Sequence, residues 1–176
     1  MRIERPSAGE YDAYYEGYVS RIGEDDVLPP LARQPGEIRT ALASVSEEQA
    51  GFRYAPGKWT VREVMGHLID TERVFGYRAM SIARGETGAL PGFDENAYTA
   101  NAGHDRCRLS SLVDEFDALR RSHVAMFLHL DREATARIGT ANGCPISVRA
   151  LAFIMVGHAR HHLATLASRY GVGGKV

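Results

Sequence analysis

The sequence has little that would cross-link it with disulfides or hold it in a membrane. Its 176 residues include only two cysteines, Cys107 and Cys144, which are too few for a disulfide framework and lack CxxC spacing. No apolar run approaches the ~18–20 residues that span a bilayer. The N-terminal MRIERPSAGEYD has charges where a signal peptide needs an apolar segment. We therefore expect reduced thiols and a cytoplasmic protein.

An excess of charge of either sign is also missing. The 21 basic and 22 acidic side chains give a formal net charge of −1, and neither sign forms a long block. Proteins that bind nucleic acid or anionic membranes concentrate positive charge, so we expect neither partner. A hydrophobic content of 44% is enough for one core, and we expect residues 1–176 to form a single domain.

Apolar residues recur at helical spacing along most of the chain, and capping residues mark several helix ends. The pattern predicts helices over about residues 8–22, from Pro35 onward, and over about 61–84, 108–130 and 148–170. Residues 86–108 lack usable periodicity and predict a long loop before the third long helix. Since such loops are usually functional or mobile, this one is a candidate lid that includes Asp94 and Asn96.

The strongest chemical pattern is a pair of histidines, His158 and His162, in the last helix. Residues four apart lie one turn above each other, so both imidazoles can point at one metal ion. His67 lies at the edge of the core stripe of the 61–84 helix, and the pair lies at the corresponding edge of its own helix. If the two helices are neighbours, the three side chains can converge at one end of a bundle. Three imidazoles with an open coordination position are typical of catalytic metal sites, although most histidine pairs in helices bind nothing.

Two further residues are candidates for acid–base chemistry. Glu72 falls within the apolar stripe of its helix, where an unpaired carboxylate would be costly to bury. It could cap loop backbone, act as a general base, or pair with Arg73, Arg120 or Arg149. His123 faces inward on the 108–130 helix, and is either a hydrogen-bonded core histidine or a pocket group that relays a proton.

The remaining candidates have structural alternatives of equal or greater weight. Trp59 could pack against the start of its helix or form a pocket wall, and Arg78 could receive an anionic substrate group or lie exposed on the surface. His161 is expected to lie near the metal site without binding the ion, or on the surface. We expect His104 and His129 to be solvated.

Two segments, PGKWTVREVMGHLIDTER (56–73) and VRALAFIMVGHARHHL (148–163), resemble the DinB/YfiT-like family of four-helix-bundle metalloproteins. The resemblance implies an all-α, up-down four-helix bundle in which His67, His158 and His162 bind one divalent metal ion, most often nickel or zinc. It also implies a homodimer. Characterised members include thiol-dependent S-transferases and a mycothiol-dependent isomerase.

From these observations we expect a divalent-metal-dependent enzyme that acts on a small molecule. The favoured reaction is transfer of a low-molecular-weight thiol to an electrophile, with the metal lowering the pKa of the thiol. One alternative is a metal-dependent hydrolase, in which the metal activates water instead. The other is a metal-binding or ligand-binding protein without turnover.

Overall fold

The computed structural model describes residues 2–173, in which eight α-helices and one β-hairpin are the main elements. The elements in chain order are a 3-10 helix Ala13–Tyr15, α1 Glu16–Val19, α2 Leu28–Leu42, α3 Glu47–Ala50, α4 Val61–Ala83, α5 Glu95–Ala102, a 3-10 helix His104–Arg106, α6 Leu109–Leu128, α7 Arg132–Ala136, β1 Ile138–Ala141, β2 Cys144–Ser147 and α8 Val148–Tyr170. The long helices α2, α4, α6 and α8 form the predicted four-helix bundle. No helix within residues 2–173 is long and apolar enough to cross a bilayer.

The order of the helices around the bundle differs from their order in the chain. α4 packs against α6 and α8, and α2 packs against the same two helices. The order around the bundle is therefore α2, α6, α4, α8, so that α2 and α4 face each other across the diagonal. In a simple meander α4 and α8 would be the diagonal pair. The crossed arrangement makes neighbours of the two helices that carry the candidate metal ligands.

The predicted boundaries of α4, α6 and α8 are confirmed to within two residues, and α4 and α8 begin at side-chain caps. The hydroxyl of Thr60 accepts a hydrogen bond from the Glu63 backbone N–H, and the Glu63 side chain accepts one from the Thr60 N–H. Ser147 caps α8 in the same way through the Ala150 N–H, and Gly171 ends that helix with φ +67°.

The prediction of one helix over residues 8–22 was wrong. The Glu10 side chain accepts a hydrogen bond from the Ser7 N–H, as in a capping box, but Gly9 has φ +92° and lies in a turn instead. Helical structure is limited to the 3-10 helix and the four residues of α1. The preceding segment is extended, and the Ile3 carbonyl accepts a hydrogen bond from the Val27 N–H.

The prolines of α2 do not delay the helix to Pro35, as we expected. Pro29 and Pro30 occupy its first turn, where a backbone N–H has no helical partner in any case. Pro35 lies inside the helix and cannot donate to the Leu31 carbonyl. That carbonyl accepts a hydrogen bond of 3.5 Å from Nη1 of Arg120 on α6.

The sequence analysis also missed the helix α5 and the β-hairpin. Residues 86–108 contain α5 as well as loop. The Asp94 carboxylate caps this helix by accepting hydrogen bonds from the N–H groups of Asn96 and Ala97. Strands β1 and β2 form an antiparallel hairpin around Asn142 and Gly143, which have φ values of 53° and 78°. Asn-Gly is a strong signal for such a tight hairpin, which the helical periodicity alone does not reveal.

Candidate metal centre

The predicted convergence of three histidines is confirmed. Nε2 of His158 lies 3.0 Å from Nε2 of His67 and 3.1 Å from Nε2 of His162. The three candidate ligand atoms all lie within 4.8 Å of one another. Nitrogen ligands about 2.0–2.1 Å from one zinc ion are separated from each other by about 3.0–3.4 Å. Two of the three separations match the spacing of ligands on a single ion, for which α4 would give one ligand and α8 two.

A glycine next to the centre lets the N-terminal segment close over it. A Cβ atom on Gly157 would lie 2.1 Å from the backbone oxygen of Tyr18, so this position has room only for glycine. The close approach brings the Tyr18 ring edge-on against His158, with 5.4 Å between centroids. α1 thus covers α8 beside His158, the first of its two candidate ligands.

Burial keeps the three imidazoles neutral. It lowers the pKa of His67 to about 4 and, together with the nearby His67 and His161, lowers that of His162 to about 3. Burial and the neighbouring histidines hold the pKa of His158 well below its usual range. A neutral imidazole keeps the lone pair that binds a metal. The donor set therefore fits a divalent cation, whose positive charge the three neutral side chains do not neutralise.

Two cavities flank the centre. The first has a volume of about 230 Å³ and is lined by Tyr14, Tyr15, Tyr18, His67, Thr71, Phe75, Arg78, Phe93, Glu95, Asn142 and His158. The second, of about 250 Å³, is lined by Tyr54, Gly57, Lys58, Trp59, Val64, Asn96, His161, His162, Thr165 and Tyr170. His67 and His158 thus border one cavity and His162 borders the other.

Trp59 forms a wall of the site and also packs against the core cluster that contains Val61 and Val64, so both alternatives that its sequence position left open hold. Its ring lies 4.8 Å from that of His67, centroid to centroid, and it lines the second cavity. The Tyr170 hydroxyl donates a hydrogen bond of 2.7 Å to the Trp59 carbonyl. The last residue of α8 therefore fixes the position of the wall.

The segment that we predicted as a lid borders both cavities. Phe93 and Glu95 line the first cavity, and Asn96 lines the second. Asp94 does not line either one, because its carboxylate is used as the cap of α5. The segment is placed where a lid would be, while its movement stays a prediction.

Glu72 is held in a buried ion pair. Nε and Nη2 of Arg120 donate to its two carboxylate oxygens over 2.6 and 3.0 Å, and Nδ1 of His123 lies 2.9 Å from Oε1. Burial alone would raise the pKa of Glu72, but Arg120 and His123 together hold it below its usual range. Neither Glu72 nor His123 lines either cavity. Their catalytic role stays a prediction, which this placement does not support.

The other histidines differ in their surroundings. His123 is a hydrogen-bonded core histidine. It packs closely against α4, since a Cβ atom on Gly76 would lie only 2.0 Å from its Nε2. His104 is half-buried, whereas we expected it to be solvated, because Gly66 leaves room for its ring and its Nδ1 is buried. His129 is exposed, as predicted.

Sequence analysis undervalued two polar residues of α4 that line the first cavity. Arg78 is only 2% exposed, although we favoured an exposed position for it. Its Nη2 donates a hydrogen bond of 2.7 Å to the Pro91 carbonyl. Thr71 is 3% exposed, and its hydroxyl has no hydrogen-bond partner among the described residues. Both share a helix face with His67, as their spacing along the sequence predicts.

Comparison with known proteins gives consistent matches. Residues 31–166 match the DinB superfamily. YfiT of Bacillus subtilis, named provisionally as a metal-dependent hydrolase, is 25% identical over 158 residues, which are 83% of each chain. GK0616 of Geobacillus kaustophilus, with the same provisional name, is 28% identical over 140 residues, or 76% of each chain. The solved structure of B. subtilis YfiT, described as having an unusual four-helix bundle topology, superposes with a TM-score of 0.76 at 23% identity, over 85% of this chain and 90% of that one.

Proposed function

The chain belongs to the DinB superfamily, and on that premise we propose that it is a divalent-metal-dependent enzyme transferring a low-molecular-weight thiol to a small electrophile. His67, His158 and His162 are the proposed ligands. The observation that carries the proposal is the position of this centre between two cavities. A reaction of two small molecules needs two binding volumes that meet at one reactive point.

The donor set limits the choice of metal. Neutral imidazoles suit zinc, nickel and other late divalent ions, and three of them leave at least one coordination position open. When bound, such an ion acts as a Lewis acid that lowers the pKa of a coordinated thiol or water. We therefore propose one zinc or nickel ion per chain.

The side chains around the centre divide the remaining work. We assign the thiol to the second cavity, where Trp59 and Tyr170 give an apolar wall and Lys58 gives a positive charge. The electrophile then occupies the first cavity, beside His67 and His158. In the transfer a sulfur–carbon bond forms and the bond to the leaving group breaks. The leaving group departs with that electron pair, and the thiol proton passes to solvent.

Hydrolysis is the second candidate, and the names of the relatives favour it. Water would replace the thiol, so that only the first cavity would hold an organic substrate. Glu95 is the sole carboxylate among the described residues that line either cavity, and it is exposed at the rim. A hydrolase would therefore lack a buried carboxylate base beside its centre.

The first experiment measures the metal content of protein purified without an affinity tag. We expect one zinc or nickel ion per chain in the wild type and in His129→Ala, which removes an exposed histidine. We expect little or none in His67→Ala and His158→Ala. Equal metal content in all four proteins would contradict the assigned ligands.

The second experiment separates the reactions. Monobromobimane is offered with cysteine, glutathione or coenzyme A, and p-nitrophenyl acetate is offered without thiol. Conjugation that depends on both a thiol and the histidine centre supports thiol transfer. Ester hydrolysis without thiol would replace it with the second candidate, and inactivity in both assays of a metal-loaded protein would indicate a binding protein.

The assembly state is a separate proposal, which rests on the family resemblance alone. We propose a homodimer of the 19.3 kDa chain. Light scattering over a range of concentrations should give twice the chain mass, and a constant mass of one chain would rule the dimer out.

A further inference from the structure

Arg78 is a buried cation without an acidic partner. It is 2% exposed, and no carboxylate within residues 2–173 lies in salt-bridge distance of its guanidinium. Burial lowers its pKa, an effect that the neighbouring Tyr15 opposes. Burying an unpaired charge is costly, so such a group usually has a partner that binds it. The fully buried Arg120 shows the usual solution, since Glu72 binds it through two hydrogen bonds.

Thr71 gives a second, independent sign of a missing ligand. Thr71 lines the same cavity, and its hydroxyl is buried and has no hydrogen-bond partner among the described residues. Unsatisfied buried polar groups are rare in native structures. A ligand in the cavity that offers an acceptor or a donor would satisfy this hydroxyl.

The spacing of these residues gives the cavity two ends. Thr71 lies four residues after His67, and Arg78 seven residues after Thr71, so all three share one face of α4. Phe75 lies between the ends, with its ring centroid 5.8 Å from Cζ of Arg78 and 6.2 Å from the His158 ring centroid. The cavity therefore runs from the histidine centre past an aromatic side chain to a guanidinium.

We propose that the first cavity binds a small organic carboxylate, whose anionic group lies against Arg78 and whose opposite end lies beside His67 and His158. A guanidinium presents paired N–H donors that match the two oxygens of a carboxylate. The Thr71 hydroxyl donates to the ligand between these ends. A volume of about 230 Å³ suits a ligand smaller than the drug-sized molecules of pockets of about 300–1,000 Å³. That the opposite end is the reacting end rests on the proposed function.

The other charged group of the cavity does not oppose an anion strongly. Glu95 also lines the cavity, but it is exposed, and water therefore screens its charge. Arg78 also has a structural contact, because its Nη2 holds the Pro91 carbonyl of the segment over the site. That bond uses one of the five N–H donors of the guanidinium, and the experiment must separate it from anion binding.

The test measures binding of benzoate, and of its neutral analogue benzamide, by isothermal titration calorimetry. We expect the wild type to bind benzoate, and Arg78→Met to bind it about tenfold or more weakly because the charged hydrogen bonds are lost. Arg78→Lys keeps the charge without the paired donors and should fall between them. Thr71→Val, which leaves Arg78 intact, should weaken benzoate binding severalfold. Benzamide binding should change little in Arg78→Met.

Each comparison is made with metal-loaded and metal-free protein, since a carboxylate can also bind a metal ion directly. Dependence on Arg78 should be present in both forms. Absence of benzoate binding by the wild type, or equal benzoate binding by folded Arg78→Met, overturns the proposal. If Arg78→Met does not fold, equal binding of benzoate and benzamide by the wild type overturns it. Because the assay requires no turnover, it can succeed or fail independently of thiol transfer.

Discussion

α4 contributes residues to two buried polar clusters that have opposite properties. The histidine centre (His67, His158 and His162) is neutral, and a cavity lies on each side of it. The ion-pair cluster (Glu72, Arg120 and His123) is charged and saturated with hydrogen bonds.

Even the outer nitrogens of Arg120 are satisfied, since Nη1 donates 2.5 Å to the Gln34 side chain and Nη2 lies 3.4 Å from the Met155 carbonyl. Burial and charge therefore do not identify the functional site of this molecule. What separates the two clusters is binding capacity left unused beside a cavity. The ion-pair cluster should be needed for stability, and the histidine centre for ligands.

The largest effect should come from breaking the ion-pair cluster. Arg120→Met removes the partner of Glu72 and leaves a carboxylate that is 3% exposed without its counter-ion. Loss of one partner of a buried pair costs about 3–5 kcal/mol. Urea unfolding at neutral pH should show a loss of that size, while the folded fraction keeps its metal.

A double variant sharpens this prediction. Glu72→Gln combined with Arg120→Met removes both charges and should recover a large part of the lost stability. A single Arg120→Met variant as stable as the wild type would show that the ion pair is not needed. Loss of metal from the folded variant would show that the two clusters are coupled.

Metal removal should have the next largest effect, and only through the histidine centre. A ligand at 100 times its dissociation constant stabilises the folded state by about 2.7 kcal/mol. A chelator should therefore lower the thermal midpoint of the wild type and of Glu72→Gln. The midpoint of His158→Ala should not respond, and a response equal to that of the wild type would mean that the metal binds elsewhere.

A second ion pair, between the buried Glu10 and the half-buried Arg149, should contribute a pH-dependent term. Burial would raise the pKa of Glu10, but hydrogen bonds from Arg149 and from the Ser7 N–H lower it from 4.5 to about 2. A carboxyl with a lower pKa in the folded state stabilises the protein above its unfolded pKa. That contribution is lost as the pH falls through the folded pKa.

Stability should therefore decrease by about 2 kcal/mol between pH 4.5 and 2 through this group. Glu10→Gln should be less stable at neutral pH and should lack this part of the decrease. Chemical unfolding across that range measures both. Parallel pH profiles for the two proteins would show that the pair of Glu10 and Arg149 carries none of the acid sensitivity.

The same contrast explains what the sequence could predict. Capping residues and long apolar periodicity are local, so the ends of α4, α6 and α8 could be predicted closely. The histidine centre could be predicted because a spacing of four residues on one helix fixes two of its members. The third, His67, needed the assumption that α4 and α8 are neighbours, which the crossed order of the bundle provides.

Several of the remaining features depend on partners that are distant in the chain. Pro35 is accommodated in α2 because Arg120, 85 positions later, binds the carbonyl that the proline leaves free. His104 is half-buried because Gly66 has no side chain and leaves room for its ring. The pairing of Glu72 with Arg120, rather than with Arg73 or Arg149, likewise depends on which helices meet. None of these partners follows from local sequence.

The smallest predicted effect tests the comparison most directly, by making the same substitution at two positions of one helix. The Thr60 hydroxyl accepts from the Glu63 N–H and donates to Asp105, so Thr60→Val should cost about 1 kcal/mol. The Thr71 hydroxyl has no partner within residues 2–173, so Thr71→Val should change stability by about 0.5 kcal/mol or less. Urea unfolding of both variants measures the difference. If Thr71→Val costs as much as Thr60→Val, its hydroxyl is already satisfied, and the first cavity loses one of the two groups that mark it as a ligand site.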